Sequence, residues 1–173
     1  KEQILLNNKF FMKVIDDFLA YNEFEKIRDF ILSSEFPWGF SEVVSDPNDD
    51  YDGTWNYKFC HVAFDLVQYS STTKVLAPYI QHPTIDCKAI KRIIINSYPW
   101  TPEVMKHAPH TDYPFSHKAA LLNLTTCDGY TFVENQQVKS VANRVILFDP
   151  SKLHYGTTTS SHKRRVIVNM NYF

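Results

Sequence analysis

The sequence predicts a mainly β domain, a jelly roll with helices packed on one flank, and three features carry that prediction. After residue 89 the chain breaks into short strand-like runs at 90–98, 105–112, 117–125, 130–134, 137–141, 144–149, 153–158 and 164–172, separated by Pro, Asn, Asp, Ser or Gly. Strands at this spacing indicate a sandwich or barrel in place of βαβ units, and eight of them suit a jelly roll whose two sheets leave a cleft at one end. Aromatic residues make up 15% of the chain while glycines number only 4, so wide rings on strands build the core and few turns depend on glycine. Helical periodicity, by contrast, is confined to the first 88 residues.

Taken in order, residues 10–15 are short, apolar and bounded by polar residues, which predicts an opening strand. Phe24, Ile27 and Ile31 then recur at helical spacing, with Glu23, Lys26 and Asp29 left for the wet face and Ser33 and Ser34 as the stop. That stripe predicts a helix packed on a sheet. The acid-rich stretch 45–53 invites a calcium reading. An EF-hand loop starting at Asp46 would need glycine and glutamate where Tyr51 and Tyr57 stand, so a surface loop is predicted instead, one able to order over a substrate. Residues 57–64 read as a strand, and 70–80 as a short helix capped by serine or threonine and closed by Pro83. The eight runs after residue 89 follow.

At 173 residues the chain fits a single domain, with 1–88 as a helical and strand support region and 89–173 as the jelly-roll core. The 18 basic and 19 acidic residues give a net charge of -1, which argues against a broad electrostatic grip on nucleic acid or anionic lipid. Cys60, Cys87 and Cys127 are odd in number and contain no C-x-x-C, so a disulfide framework is not expected and a reducing compartment is. No apolar run approaches the roughly 20 residues that span a bilayer, and the first residues do not read as a signal peptide. A soluble, cytoplasmic protein is therefore expected.

The chemistry centres on His110, Thr111 and Asp112. In an extended segment successive side chains alternate faces, so His110 and Asp112 project together about 7 Å apart. An imidazole and a carboxylate are two thirds of the facial triad that holds non-heme Fe(II), and the third ligand must be a distant histidine folded back beside them. His154 is the candidate. His107 faces the other way from His110, and His61, His82, His117 and His162 have no ligand partner at useful spacing. The sequence has no G-x-S-x-G, Walker loop or H-E-x-x-H, which removes the common serine hydrolase, P-loop and zincin readings.

These pieces stand in a longer order: 93–99 (IIINSYP), 110–112 (HTD), 122–124 (LNL), 128–132 (DGYTF), 145–150 (VILFDP), 153–156 (LHYG) and 165–169 (RVIVN). That order, over nearly half the chain, resembles the Fe(II)- and 2-oxoglutarate-dependent oxygenases, and within them the small prolyl-hydroxylase-like members, some of them phage-encoded. The resemblance implies a double-stranded β-helix in which His110, Asp112 and His154 hold iron and leave three positions for 2-oxoglutarate and O2. It also implies hydroxylation coupled to loss of CO2 from the cosubstrate, which leaves as succinate, with ascorbate as an accessory reductant. The far carboxylate of 2-oxoglutarate needs a fixed cation with paired donors. Counted back from the last three residues, Arg165 falls where the family places that arginine. Arg164 would face away and, with His162 and Lys163, read as solvated charge. Tyr98 resembles the tyrosine that reaches the cosubstrate from the first barrel strand, and Asn169 shares the face of Arg165 and could add a hydrogen bond. Two positions depart from the family pattern: Leu121 stands where many relatives have tyrosine, and a paired glycine is reduced to Gly129.

Trp55, Tyr57, Trp100, Tyr113, Phe115 and Tyr155 are candidates for the substrate entrance. The resemblance implies a peptide or protein substrate, with proline first, or a small metabolite. Three other readings stand beside it: an oxidative nucleic-acid demethylase, disfavoured by the lack of a basic stripe, a catalytically silent jelly roll that binds a ligand, and a zinc hydrolase, which would have no need of Arg165.

Overall fold

Strand alternation sorts the apolar side chains into two layers. The computed structural model describes residues 12–45 and 53–173. Its elements are β1 (Lys13–Ile15), α1 (Tyr21–Leu32), β2 (Gly39–Ser41), β3 (Lys58–Phe64), α2 (Thr72–Val75), α3 (Ala77–Ile80), β4 (Ile90–Pro99), β5 (Lys118–Asn123), β6 (Tyr130–Val133), β7 (Gln136–Lys139), β8 (Val145–Phe148), β9 (His154–Gly156) and β10 (Arg164–Tyr172). They form a seven-stranded sheet in the order β1-β8-β5-β10-β4-β3-β2 and a three-stranded sheet in the order β7-β6-β9, with every strand pair antiparallel. This is the jelly roll that the run spacing predicts.

One face of the large sheet carries Ile93, Ile95, Leu122, Val145, Leu147, Val166, Val168 and Met170, all packed with Phe24, Ile27 and Ile31 of α1. The helix thus buries the stripe read from its sequence, and Ser33 ends it as its hydroxyl bonds Phe30 O at 2.8 Å. The opposite face carries Tyr98, Ala119, Leu121, Ile146, Phe148 and Ile167, which meet Val133 and Val138 of the small sheet. Because the two sets alternate along each strand, one sheet serves two cores.

Four expectations change. Residues 105–112 form no strand. They run beside β9 with only the isolated bridges Lys106↔Thr157 and His110↔His154, because Pro109 brings no N–H to the ladder between them. The helix expected over 70–80 is two single turns, α2 and α3, meeting at Leu76; Pro78 sits in the first turn of α3 and cannot donate back to Lys74. The short strand β2 was not anticipated. Arg164 is not solvated: its guanidinium lies 5.6 Å over the ring of Trp38 and donates to Leu32 O at 3.0 Å. The opening strand is described from Lys13 on and pairs with β8. Residues 10–11 of that expected strand, and 46–52 of the acid-rich stretch, lie outside the described residues. Among the described residues no helix is long and apolar enough to cross a membrane, and all three cysteines are free.

Candidate active site

The isolated bridge between His110 and His154 builds the site. The two residues exchange both backbone hydrogen bonds, His110 N to His154 O at 2.9 Å and His154 N to His110 O at 3.0 Å. Directly opposed residues of an antiparallel pair put their side chains on one face, and the ring centroids are 4.5 Å apart. Asp112, two residues on and anchored by its own N–H to Pro150 O, brings its carboxylate to the same side. Asp112 Oδ1 lies 3.7 Å from His110 Nε2 and 3.8 Å from His154 Nε2, and the three ligand atoms all fall within 4.8 Å of one another. The expected triad therefore assembles, although 105–112 is not a regular strand.

The surroundings prepare each group for a cation. Nδ1 of His110 faces Ala108 O at 3.2 Å and Nδ1 of His154 faces Lys152 O at 2.9 Å. A carbonyl accepts, so Nδ1 carries the proton and Nε2 keeps its lone pair for a metal. Burial, then His154, lowers the pKa of His110, favouring the neutral ligand form. Burial by itself would raise the Asp112 carboxyl, but His154, Arg92, Asn171 and His110 outweigh it and hold the group below its ordinary value. Two imidazoles that present Nε2 and one carboxylate, with spare coordination positions, suit Fe(II).

Arg165, on β10, is fully buried. It donates to Thr131 Oγ1 at 2.6 Å and Thr157 O at 3.3 Å, and lies 5.5 Å over the ring of Tyr98, its register partner on β4. Its Nε has no hydrogen-bond partner, and no carboxylate pairs with it among the described residues. A buried guanidinium in that condition calls for an anionic ligand. Burial raises the Tyr98 hydroxyl to about 12, so it stays protonated and able to donate. Asn169 lines the same cavity, but its Nδ2 donates to Asp112 Oδ2 at 3.2 Å, leaving Oδ1 of Asp112 turned to the histidines. In this arrangement Asn169 orients that carboxylate.

These side chains line a cavity of about 160 Å³. Leu121 and Tyr155 also line it. The other aromatic candidates stand outside it: Trp55 packs on His107, Tyr57 on Phe40 and Phe59, Tyr113 lies under Lys91 and Arg92, and Trp100 and Phe115 are exposed. His107 is buried against Tyr98, away from the triad. Two charged cavity residues were missed, Lys58 and Arg92, as were Val44 and Ser45. Alternation back from Tyr98 through Asn96 and Ile94 points to Arg92; Lys58 depends on the β3–β4 register, which no local pattern encodes.

No family model matches the sequence, and no curated protein matches it significantly. The fold does match solved structures. A prolyl hydroxylase from Trichoplax adhaerens, in complex with a hypoxia inducible factor oxygen degradation domain peptide fragment, superposes with a TM-score of 0.63 at 13% identity, over 94% of this chain and 83% of that one. A prolyl-4-hydroxylase from Pseudomonas putida gives 0.57 at 11% identity, over 93% and 91%. The non-heme alpha ketoglutarate dependent epimerase SnoN from nogalamycin biosynthesis gives 0.62 at 11% identity, over 94% and 77%. The chain has the double-stranded β-helix fold of these proteins.

Proposed function

We propose that this chain is an Fe(II)- and 2-oxoglutarate-dependent dioxygenase. One observation carries the reading: a His110, Asp112 and His154 cluster shares its cavity with Arg165, a fully buried cation without a carboxylate partner among the described residues. A zinc hydrolase would use the same three ligands but leave Arg165 without a purpose. Iron bound there with 2-oxoglutarate and O2 supplies oxidation of a substrate C–H bond, with release of succinate and CO2.

The protein's part is placement. His110 and His154 present Nε2 because their Nδ1 protons are held by backbone carbonyls. Asp112 presents Oδ1 because Asn169 holds Oδ2. Arg165, braced by Thr131 and Thr157, offers parallel donors to the far carboxylate of the cosubstrate, and Tyr98 adds a hydroxyl beside it. The buried walls keep water from the reacting atoms. A peptide is the first substrate class to test, prompted by the peptide bound to the Trichoplax adhaerens protein. A free small molecule is the second, and oxidative demethylation of nucleic acid is disfavoured by the net charge of -1 and the lack of a basic stripe in the sequence.

The test is succinate release by purified protein given Fe(II), ascorbate and 2-oxoglutarate, slow alone and faster with substrate. His110→Ala, Asp112→Ala and His154→Ala should each abolish it. Arg165→Ala should raise the 2-oxoglutarate concentration needed by about tenfold or more, since a bidentate charged contact is removed while the iron ligands stay. Unchanged 2-oxoglutarate affinity in that variant would refute the cosubstrate assignment.

A further inference from the structure

The cavity holds more positive charge than the proposed chemistry uses. Among the described residues its walls carry one carboxylate, Asp112, against three cations, Lys58, Arg92 and Arg165. On the oxygenase reading above, which this inference rests on, divalent iron, Asp112, the doubly charged cosubstrate and Arg165 cancel to zero. Lys58 and Arg92 remain over.

Among the described residues neither has a carboxylate of its own: Arg92 shares Asp112 with the two histidines and lies over Tyr113. Lys58 reaches in from β3 and gives one hydrogen bond, to Val44 O at 2.8 Å, which leaves two N–H donors. Burial lowers its pKa, as expected of an amine poorly compensated by its surroundings. Arg92, on β4, comes no nearer than 3.8 Å to Asp112 Oδ1, an oxygen turned to the histidines, and its Nε is buried without a hydrogen-bond partner. No other carboxylate pairs with either among the described residues. Between them along the same strand face, Asn96 has a buried Oδ1 that also lacks a partner. Free donors on two cations beside a free amide acceptor match a molecule that brings an oxyanion and, next to it, an N–H.

We infer that Lys58 and Arg92 form a receptor for a carboxylate on the substrate, so the molecule oxidised is anionic close to the atom that reacts. A neutral prolyl peptide would cover both half-buried cations without giving either a carboxylate of its own, a penalty that a substrate carboxylate removes. The carboxylate can come from a free amino acid or from an acidic side chain in a peptide.

The experiment uses full-length protein with redox-silent Mn(II) in place of iron and saturating 2-oxoglutarate, with binding read by calorimetry and by Mn(II)-induced relaxation of ligand NMR signals. The probes are the L-amino acids against their carboxamides, and blocked tetrapeptides with Asp or Glu against Asn or Gln. The acid of at least one pair should bind about tenfold tighter than its neutral twin, roughly one charge-assisted hydrogen bond. Which series shows it distinguishes the two sources. Lys58→Gln and Arg92→Gln should each cut that preference about threefold or more. The metal-loaded Lys58→Gln protein should melt no lower than the parent; a fall would mark a structural lysine and overturn its assignment. With Mn(II) and 2-oxoglutarate bound, the absence of any acid preference, or its survival in both variants, would overturn the receptor alone. Failure of the parent to bind Mn(II) or 2-oxoglutarate would instead sink the oxygenase reading.

Discussion

At the scale of single residues, the site works by closing off alternatives. Each histidine has one nitrogen committed to a carbonyl, Asp112 has one oxygen committed to Asn169, and Arg165 is held from two sides. Gly129 belongs to this group although it touches no ligand. A Cβ placed there would lie 2.5 Å from Thr158 O and 2.7 Å from Arg165 Cδ. The first contact is with backbone that cannot retreat, since Thr158 N donates to Met105 O and Thr158 Oγ1 accepts from Met105 N. Gly129→Ala should therefore displace the Arg165 side chain, weakening 2-oxoglutarate binding by about tenfold and stability by about 1–3 kcal/mol. Calorimetric titration and urea unfolding check the two effects separately, and an alanine variant with parental affinity would show that the arginine stem can move freely. His110 and Asp112 were legible because they share one short extended segment, whereas His154 and Arg165 were reached through the ordered motifs of the resemblance; the structure places all four around one cavity. Lys58 was not legible, because it reaches the site only through the pairing of β3 with β4, which is set by contacts along both strands.

At the scale of elements, short apolar runs bounded by turn residues made the strands readable, and prolines made two readings fail. The run 144–149 is apolar on both faces and shows as a continuous apolar stretch, while 164–172 alternates Val166, Val168 and Met170 toward the helix layer with Arg165, Asn169 and Asn171 on the other face. At 105–112 the run has few apolar residues, and Pro109 interrupts the ladder. A chemistry-bearing bridge was left where a strand was expected. The turn before β8 shows a contribution that pattern alone does not reveal. Asn143 has a φ of 63°, its O accepts from Phe18 N at 2.9 Å, its Oδ1 accepts from Leu19 N at 3.0 Å, and its Nδ2 donates to Leu19 O at 2.8 Å. It joins the segment entering α1 to the barrel across most of the sequence. Asn143→Ala removes both side-chain bonds and places a Cβ residue in the left-handed region, so it should lower stability by about 3 kcal/mol. Asn143→Gly should recover only the backbone share, about 1 kcal/mol. Equal losses for the two variants in urea unfolding would mean that the conformation contributes nothing and the hydrogen bonds everything.

For the molecule as a whole, the two cores on either side of the large sheet hold a polar cavity that is poorly compensated until something binds in it, and this links stability to acid. His107 is buried between Trp55 and Tyr98, with neither ring nitrogen hydrogen-bonded among the described residues. Burial, reinforced by the positive charge of Arg165, lowers its pKa to about 3. The unfolded chain takes up a proton on this residue near the ordinary value of about 6.5, while the folded chain refuses it down to about 3. Between those limits the unfolded state binds more protons, so stability falls as pH drops, and above about 6.5 the residue contributes no slope. His110, also lowered by burial, acts in the same direction in metal-free protein. Asp128 adds a second, more acid window. Its carboxylate accepts from Ser160 Oγ, Thr159 Oγ1, Ser160 N and Ser161 N, and these bonds overcome the effect of burial and hold its pKa down. Its contribution is complete above about pH 4 and is lost only as the pH falls through its depressed value. The two windows can be separated by one substitution. His107→Phe keeps a ring between Trp55 and Tyr98 but cannot titrate, so proton uptake on unfolding at pH 5 should fall by about one. Between pH 6.5 and 4.5 the variant should then lose about 2 kcal/mol less stability than the parent. Urea unfolding of metal-free protein across that range measures it, and parallel curves for parent and variant would show that His107 is protonated in the folded state after all.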